Sequence, residues 1–100
     1  DDMMNAGGYR VSPLEVEAAL SLHPDIQEVG VTDIEIKADT RVIAAYYVSD
    51  HTLDETRLKD WAATRLARYK QPRLYRRVQA MPRNANGKMI RRALSQAETL

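Results

Sequence analysis

Residues 26–49 read IQEVGVTDIEIKADTRVIAAYYVS. Within them, IQEVGVTDIEIK (26–37) and RVIAAYYVS (41–49) are rich in β-branched and aromatic residues and alternate in part, which predicts two strands. The KADT between them (37–40) suits a turn, so the pair reads as an antiparallel hairpin. Gly30 and a change of phase near Asp33 point to a bulge in the first strand.

Helices flank this hairpin on both sides. In VSPLEVEAALSLHP (11–24), Ser12 stands at the cap, Pro13 at the first helical position, and Glu15 three residues after the cap completes a capping box. Val11 and Val16 have the spacing of a hydrophobic staple; Val16, Ala19, Leu20 and His23 then share one face until Pro24 stops the helix. His23 reads as a helix-end packing residue rather than a ligand. A second helix is predicted over DETRLKDWAATRLARY (54–69), with Asp54 as cap, Leu53 stapled to Leu58, and Leu58, Trp61, Ala62, Leu66 and Tyr69 as its buried stripe. RLYRRVQ (73–79) is a short basic edge strand, since charged side chains discourage further pairing. A polar turn, PRNANGK (82–88), leads into a last helix with Ile90, Ala93, Leu94 and Ala97 inward. At the other end, Gly7-Gly8 in DDMMNAGGYRV (1–11) suits a loop or small hairpin. Helices and strands mix without a regular βαβ repeat. The expected class is therefore α+β: a small antiparallel or mixed sheet of about three strands flanked by three helices.

A chain of 100 residues fits one domain, residues 1–100, and hides only about 60 to 65% of the surface its unfolded form exposes. Such a fold can be stable without a deep pocket, so an active site calls for a second body. The absence of cysteine excludes disulfides, thiol nucleophiles and thiolate metal sites. His23 and His51 are too few for a metal cluster, and no metal site is expected. No apolar run approaches the ~20 residues of a membrane span and nothing resembles a signal peptide, so the expectation is a cytoplasmic protein. A first residue of Asp1 rather than Met leads us to expect a fragment or a processed chain.

The formal net charge of +1 conceals a division. Residues 1–60 carry 13 acids and 5 bases, whereas residues 61–100 carry 10 bases and 1 acid; from Arg65 to Arg92 every charge is positive. Such a block either attracts an anion or is a solvated face. Within it, Gly87-Lys88 invites comparison with the phosphate loop G-x-x-x-x-G-K-[ST]. Pro82 occupies the first glycine position, with no amide proton to donate, and Met89 replaces the metal-binding hydroxyl. What remains is a lysine on a small polar turn at the start of a helix, whose dipole adds positive potential. Its long stem suits insertion into another domain's cleft, as it also suits a solvated surface.

The segments PRNANGKMIRR (82–92), DDMMNAGGYRVSPLEVE (1–17) and LARYKQP (66–72) together carry a resemblance. The chain resembles, over essentially its whole length, the C-terminal domain of the AMP-forming acyl-CoA synthetases, in the superfamily of peptide-synthetase adenylation domains and beetle luciferases. The first segment is similar to that family's P-x-x-x-x-G-K-x-x-R signature. The resemblance implies a two-step reaction. A carboxylate attacks the α-phosphate of ATP, and a thiol, usually of CoA, then displaces AMP. It further implies a large N-terminal domain as partner, which holds the acid and most of ATP with its Mg, while the small domain swivels between steps. Lys88 matches the adenylation lysine, Asp1 the hinge, Gly8 the glycine of the loop facing the pantetheine tunnel, and Arg10 an arginine that contacts CoA phosphate in some members. Arg83, Arg91 and Arg92 either support Lys88 or are solvated. In some members this lysine is acetylated, which removes its charge.

Two other readings stand beside this one. In a carrier-dependent adenylation system, the acyl group would pass to a tethered phosphopantetheine. A small nucleic-acid-binding module could use the Arg65–Arg92 block, but Tyr69 and Tyr75 offer a thin stacking surface there. The favoured expectation includes neither nucleic acid nor a membrane as partner.

Overall fold

The computed structural model describes residues 3–100, so the expected hinge at Asp1 lies outside the described residues. A hairpin of β1 (Met4–Ala6) and β2 (Tyr9–Val11) leads into α1 (Pro13–Ser21); β3 (Glu28–Lys37), β4 (Thr40–Val48), α2 (Glu55–Ala63) and β5 (Leu74–Arg77) follow. Arg68–Lys70 and Arg91–Gln96 form 3₁₀ segments. The main sheet has the order β3-β4-β5. β3 runs antiparallel to β4, from Glu28↔Val48 to Lys37↔Thr40, and β5 lies parallel to β4 from Ala44↔Leu74 to Tyr47↔Arg77. The architecture is the α+β class read from the sequence, with β5 at an edge.

The central strand explains the two-sided core. Val42 through Tyr47 are all buried, because alternate residues of β4 enter two different clusters. Ile43, Ala45 and Tyr47 join Val31, Val16, Leu20, Leu58, Ala62 and the hairpin residues Met4, Ala6 and Val11 on one face. Ala44 and Tyr46 meet Val78, Met81 and Leu94 on the other, with Ile34, Met89 and Ala97 packed against them. Helices and the β1–β2 hairpin thus cover one face. The C-terminal segment covers the opposite one.

Local signals fared unevenly. Asp54 caps α2 by accepting a hydrogen bond from the Arg57 amide at 3.0 Å. Ser12 takes the N-cap position of α1 but its side chain accepts no capping bond, and the expected capping box does not form. Glu15 instead pairs with Lys70 Nζ at 2.9 Å, which engages its carboxylate away from the cap. α2 ends at Ala63 instead of continuing to Tyr69. Leu66 is still buried, but with the helical phase lost Tyr69 is 44% exposed and stacks on Tyr9 rather than joining the core. His23 packs 4.8 Å from Trp61, as a helix-end residue should, and the Trp61 indole donates to the Ala19 carbonyl at 2.9 Å, tying α2 to α1.

The bulge also moves. It falls between Glu35 and Lys37, beside the turn, while Gly30 pairs in register with Tyr46. Gly30 answers a packing demand: a Cβ there would meet Met89 Sδ at 2.5 Å, Leu94 Cδ1 at 3.1 Å and Met81 Sδ at 3.2 Å. The glycine lets the C-terminal segment lie flat on the sheet.

Candidate functional site

Residues 82–90 form a tight hairpin. Arg83 bridges to Met89 in antiparallel fashion, the Asn84 amide donates to the Lys88 carbonyl at 2.9 Å, and the Ile90 amide donates to the Pro82 carbonyl at 2.9 Å. The Asn84 side-chain oxygen accepts from the amides of Asn86 (2.9 Å) and Lys88 (3.0 Å), and the Gly87 amide donates to the Asn84 carbonyl at 2.9 Å. Gly87 has φ 79°, a left-handed conformation that favours glycine. The Lys88 main chain is therefore fully engaged, while among the described residues nothing accepts a hydrogen bond or forms an ion pair with its exposed ammonium.

The expectation that Lys88 begins a helix is corrected here. The helical segment starts only at Arg91 and is a short 3₁₀ piece, because Ile90 is extended at φ −105°, ψ 98°. No helix dipole points along the Lys88 stem. A network of turn hydrogen bonds holds it instead.

Arg83 donates from Nη1 to the Gly87 carbonyl at 2.8 Å and from Nη2 to Glu28 of β3. Arg91 grips Glu17 of α1 with two bonds, Nε to Oε2 at 2.9 Å and Nη2 to Oε1 at 2.7 Å, and both side chains are less than one-fifth exposed. Glu17 Oε2 also accepts the Val31 amide at 3.0 Å, so one carboxylate joins α1, the free edge of β3 and the C-terminal segment. Arg92 is exposed.

The charge division of the sequence resolves into pairing across the fold. Lys70, Arg83 and Arg91 take Glu15, Glu28 and Glu17 from the acidic part. Arg77 donates twice to the Ser49 carbonyl, at 3.1 and 2.9 Å, and the Arg65 guanidinium lies 3.4 Å from the centre of the Trp61 ring. Half of the block thus performs internal work. Among the described residues Lys88, Arg68, Arg73 and Arg92 form no ion pair, and Lys88 is the one of these four on the 82–90 turn.

The second group of expected residues lies elsewhere. Gly7 and Gly8 form the two-residue loop between Ala6 and Tyr9, with φ 58° and 85°, the hand that matches strand twist in a tight hairpin. A Cβ at Gly8 would meet nothing within 4 Å. Arg10, opposite Asn5, is exposed, and among the described residues it has no ion-pair partner. Beside the loop, Tyr9 stacks on Tyr69 with ring centres 4.5 Å apart, and Arg41, Lys59, Arg68 and Arg73 line an adjoining open groove. The hairpin packs on the helix-bearing face of the sheet and the Lys88 turn on the other. Gly8 and Lys88 are not brought together.

Sequence reasoning missed Glu17, Glu28 and the packing role of Gly30. Gly30 carried a signal, a glycine inside a strand, but the signal allows either a bulge or a close approach. Among the described residues, no cluster of three or more His, Asp or Glu could hold a metal ion, and no helix is long and apolar enough to cross a membrane.

Known proteins match this arrangement. A 2-succinylbenzoate–CoA ligase of Bacillus licheniformis is 40% identical over 93 residues, covering 93% of this chain and 20% of that enzyme. The o-succinylbenzoate CoA synthetase of Bacillus subtilis, solved in complex with an acyl-adenylate intermediate, superposes with a TM-score of 0.89 at 36% identity, over 98% of this chain and 20% of that one. The same enzyme solved with ATP and magnesium gives 0.84 at 35% identity, over 94% and 19%. This chain spans about one-fifth of the length of these relatives. The AMP-binding enzyme C-terminal domain family matches residues 15–88, a span that holds the three-stranded sheet, most of α1, all of α2 and the turn up to its lysine, and the chain belongs to that family.

Proposed function

We infer that residues 1–100 are the mobile C-terminal domain of an ATP-dependent, AMP-forming carboxylic acid–CoA ligase, hinged at Asp1 to a large N-terminal domain. The observation that carries this reading is the free ammonium of Lys88 on a rigid turn, on the sheet face opposite the open Gly7-Gly8 loop. One pose of the domain offers Lys88 to a cleft in the large domain. A rotated pose offers the glycine loop.

In the first step a carboxylate oxygen attacks the α-phosphorus of ATP and the bond to pyrophosphate breaks. Both reactants are anionic. The ammonium of Lys88 offsets their repulsion and stabilises the charge gathered in the transition state, with no proton transfer required. The magnesium that accompanies ATP would be held by the large domain. In the second step the CoA thiol attacks the acyl carbonyl and AMP leaves. The absence of a side chain at Gly8 leaves room for a pantetheine arm, and Arg10 supplies a cation for CoA phosphate.

The test uses the full-length enzyme. Lys88→Ala is expected to lower acyl-adenylate formation, followed by ATP–pyrophosphate exchange, by about 100- to 1,000-fold, the usual cost of removing one fixed charge stabiliser. Conversion of supplied acyl-adenylate to thioester should stay within about twofold of the unaltered enzyme, because that step does not use the lysine. Equal loss in both half-reactions would contradict the assignment.

A further inference from the structure

We propose that Glu28 and Arg83 form a strut that sets the reach of Lys88, making both of them positioning residues for adenylation. The proposal rests on the reading of Lys88 given above.

The peptide unit between Gly87 and Lys88 is gripped on both edges. Its carbonyl accepts from Arg83 Nη1 at 2.8 Å, and its N–H donates to the Asn84 side-chain oxygen at 3.0 Å. A lysine stem amplifies any tilt of the peptide plane from which it springs, so this plane governs where the ammonium points. Asn84 belongs to the turn itself and moves with it. Arg83 differs, because its other arm is anchored on β3 through Glu28, 55 residues away in sequence.

A second attachment supports the same strand. Met89, the neighbour of Lys88, fills the space left by the missing side chain of Gly30, two residues beyond Glu28. In a strand, residues two apart face the same side, so Glu28 and Gly30 hold the hairpin from one face of β3. The turn is thereby referenced to the sheet at two points rather than one. Rotation about a single anchor is blocked.

An alternative role for Arg83 is to add positive potential beside Lys88. The two roles separate by substitution in the full-length enzyme, assayed with whichever acid the unaltered enzyme turns over fastest. Glu28→Ala removes the anchor while leaving the Arg83 charge in place. The strut predicts a fall in the adenylation rate constant of about three- to fivefold, the scale of one partly exposed ion pair, with KM for ATP and acid within about twofold. Arg83→Lys keeps the charge but cannot span both the Gly87 carbonyl and Glu28, and the expected fall is about tenfold. In both variants thioester formation from supplied acyl-adenylate is expected to be unchanged. Their melting temperatures should also be preserved, since both side chains of this pair are nearly half exposed.

An unchanged or faster adenylation in Glu28→Ala would overturn the strut in favour of a field effect, as would full activity in Arg83→Lys. Equal losses in both half-reactions would overturn it in favour of a general structural role. Lys88→Ala, assayed in parallel, separates the two levels. If it abolishes adenylation while Glu28→Ala and Arg83→Lys do not impair it, only the strut falls; if it leaves adenylation intact, the assignment of the lysine falls and the strut with it.

Discussion

The Lys88 hairpin and the Gly7-Gly8 hairpin are both tight turns with glycine at positive φ, yet they are built to opposite ends. The first is braced by an asparagine side chain, by Arg83 and by the seating of Met89 at Gly30. The glycines of both turns face open space, but the second has no such side-chain bracing, and its strands are held from below by buried Met4, Ala6 and Val11. In the proposed function, the charge that meets a reacting phosphate needs a fixed origin, because small misplacements are costly in rate. In that same proposal, the loop that lets a slender group pass needs clearance more than bracing. The contrast is one between a braced turn and an unbraced one.

Beyond the loss expected from Lys88→Ala, the comparison is strained most by filling the empty turn. In the full-length enzyme, Gly8→Leu should reduce thioester formation from supplied acyl-adenylate by about tenfold or more, while ATP–pyrophosphate exchange changes by less than about twofold. Its positive φ also costs about 1 kcal/mol in a non-glycine residue, so the hairpin should survive, and circular dichroism should confirm that. A fall in both half-reactions would erase the distinction between the two turns.

Next comes the brace beneath the Lys88 segment. Glu17→Ala removes the two bonds Arg91 makes to this carboxylate and the acceptor of the Val31 amide, at a largely buried pair, so a loss of about 2 to 3 kcal/mol in urea unfolding is expected. A change below about 0.5 kcal/mol would show that the carboxylate holds nothing. The smallest effect belongs to Gly30→Ala. The added methyl displaces the flexible ends of Met89 and Met81, at a cost of about 1 to 2 kcal/mol, and Met89→Ala introduced on top should recover part of it. Strict additivity of the two substitutions would refute the contact.

The Asp54 cap, the Val11 and Val16 staple, the hairpin of β3 and β4 and the edge position of β5 were legible, because each rests on residues close in sequence or on strand alternation. The length of α2 was overestimated because Leu66 and Tyr69 continue the helical period after the helix has ended at Ala63. The Ser12-Glu15 box was misread because Lys70, 55 residues from Glu15, competes for the same carboxylate. The motif pointed to Lys88 and left its surroundings undetermined: a helix dipole was expected where a hydrogen-bonded turn stands.

By itself the amino-acid order determined the class of fold, the hairpin of β3 and β4, and the lysine and glycine turns on which the proposed chemistry depends. Periodicity, capping and turn preferences act over a few residues, so they can be read in one dimension. Only the tertiary structure decided that the two turns occupy opposite faces, that Gly30 is a seat for Met89, and that an acidic half and a basic half pair with each other. Glu17 and Arg91 meet across 74 positions of chain. No local preference encodes such a partner, because packing alone chooses among the many carboxylates that an arginine could reach.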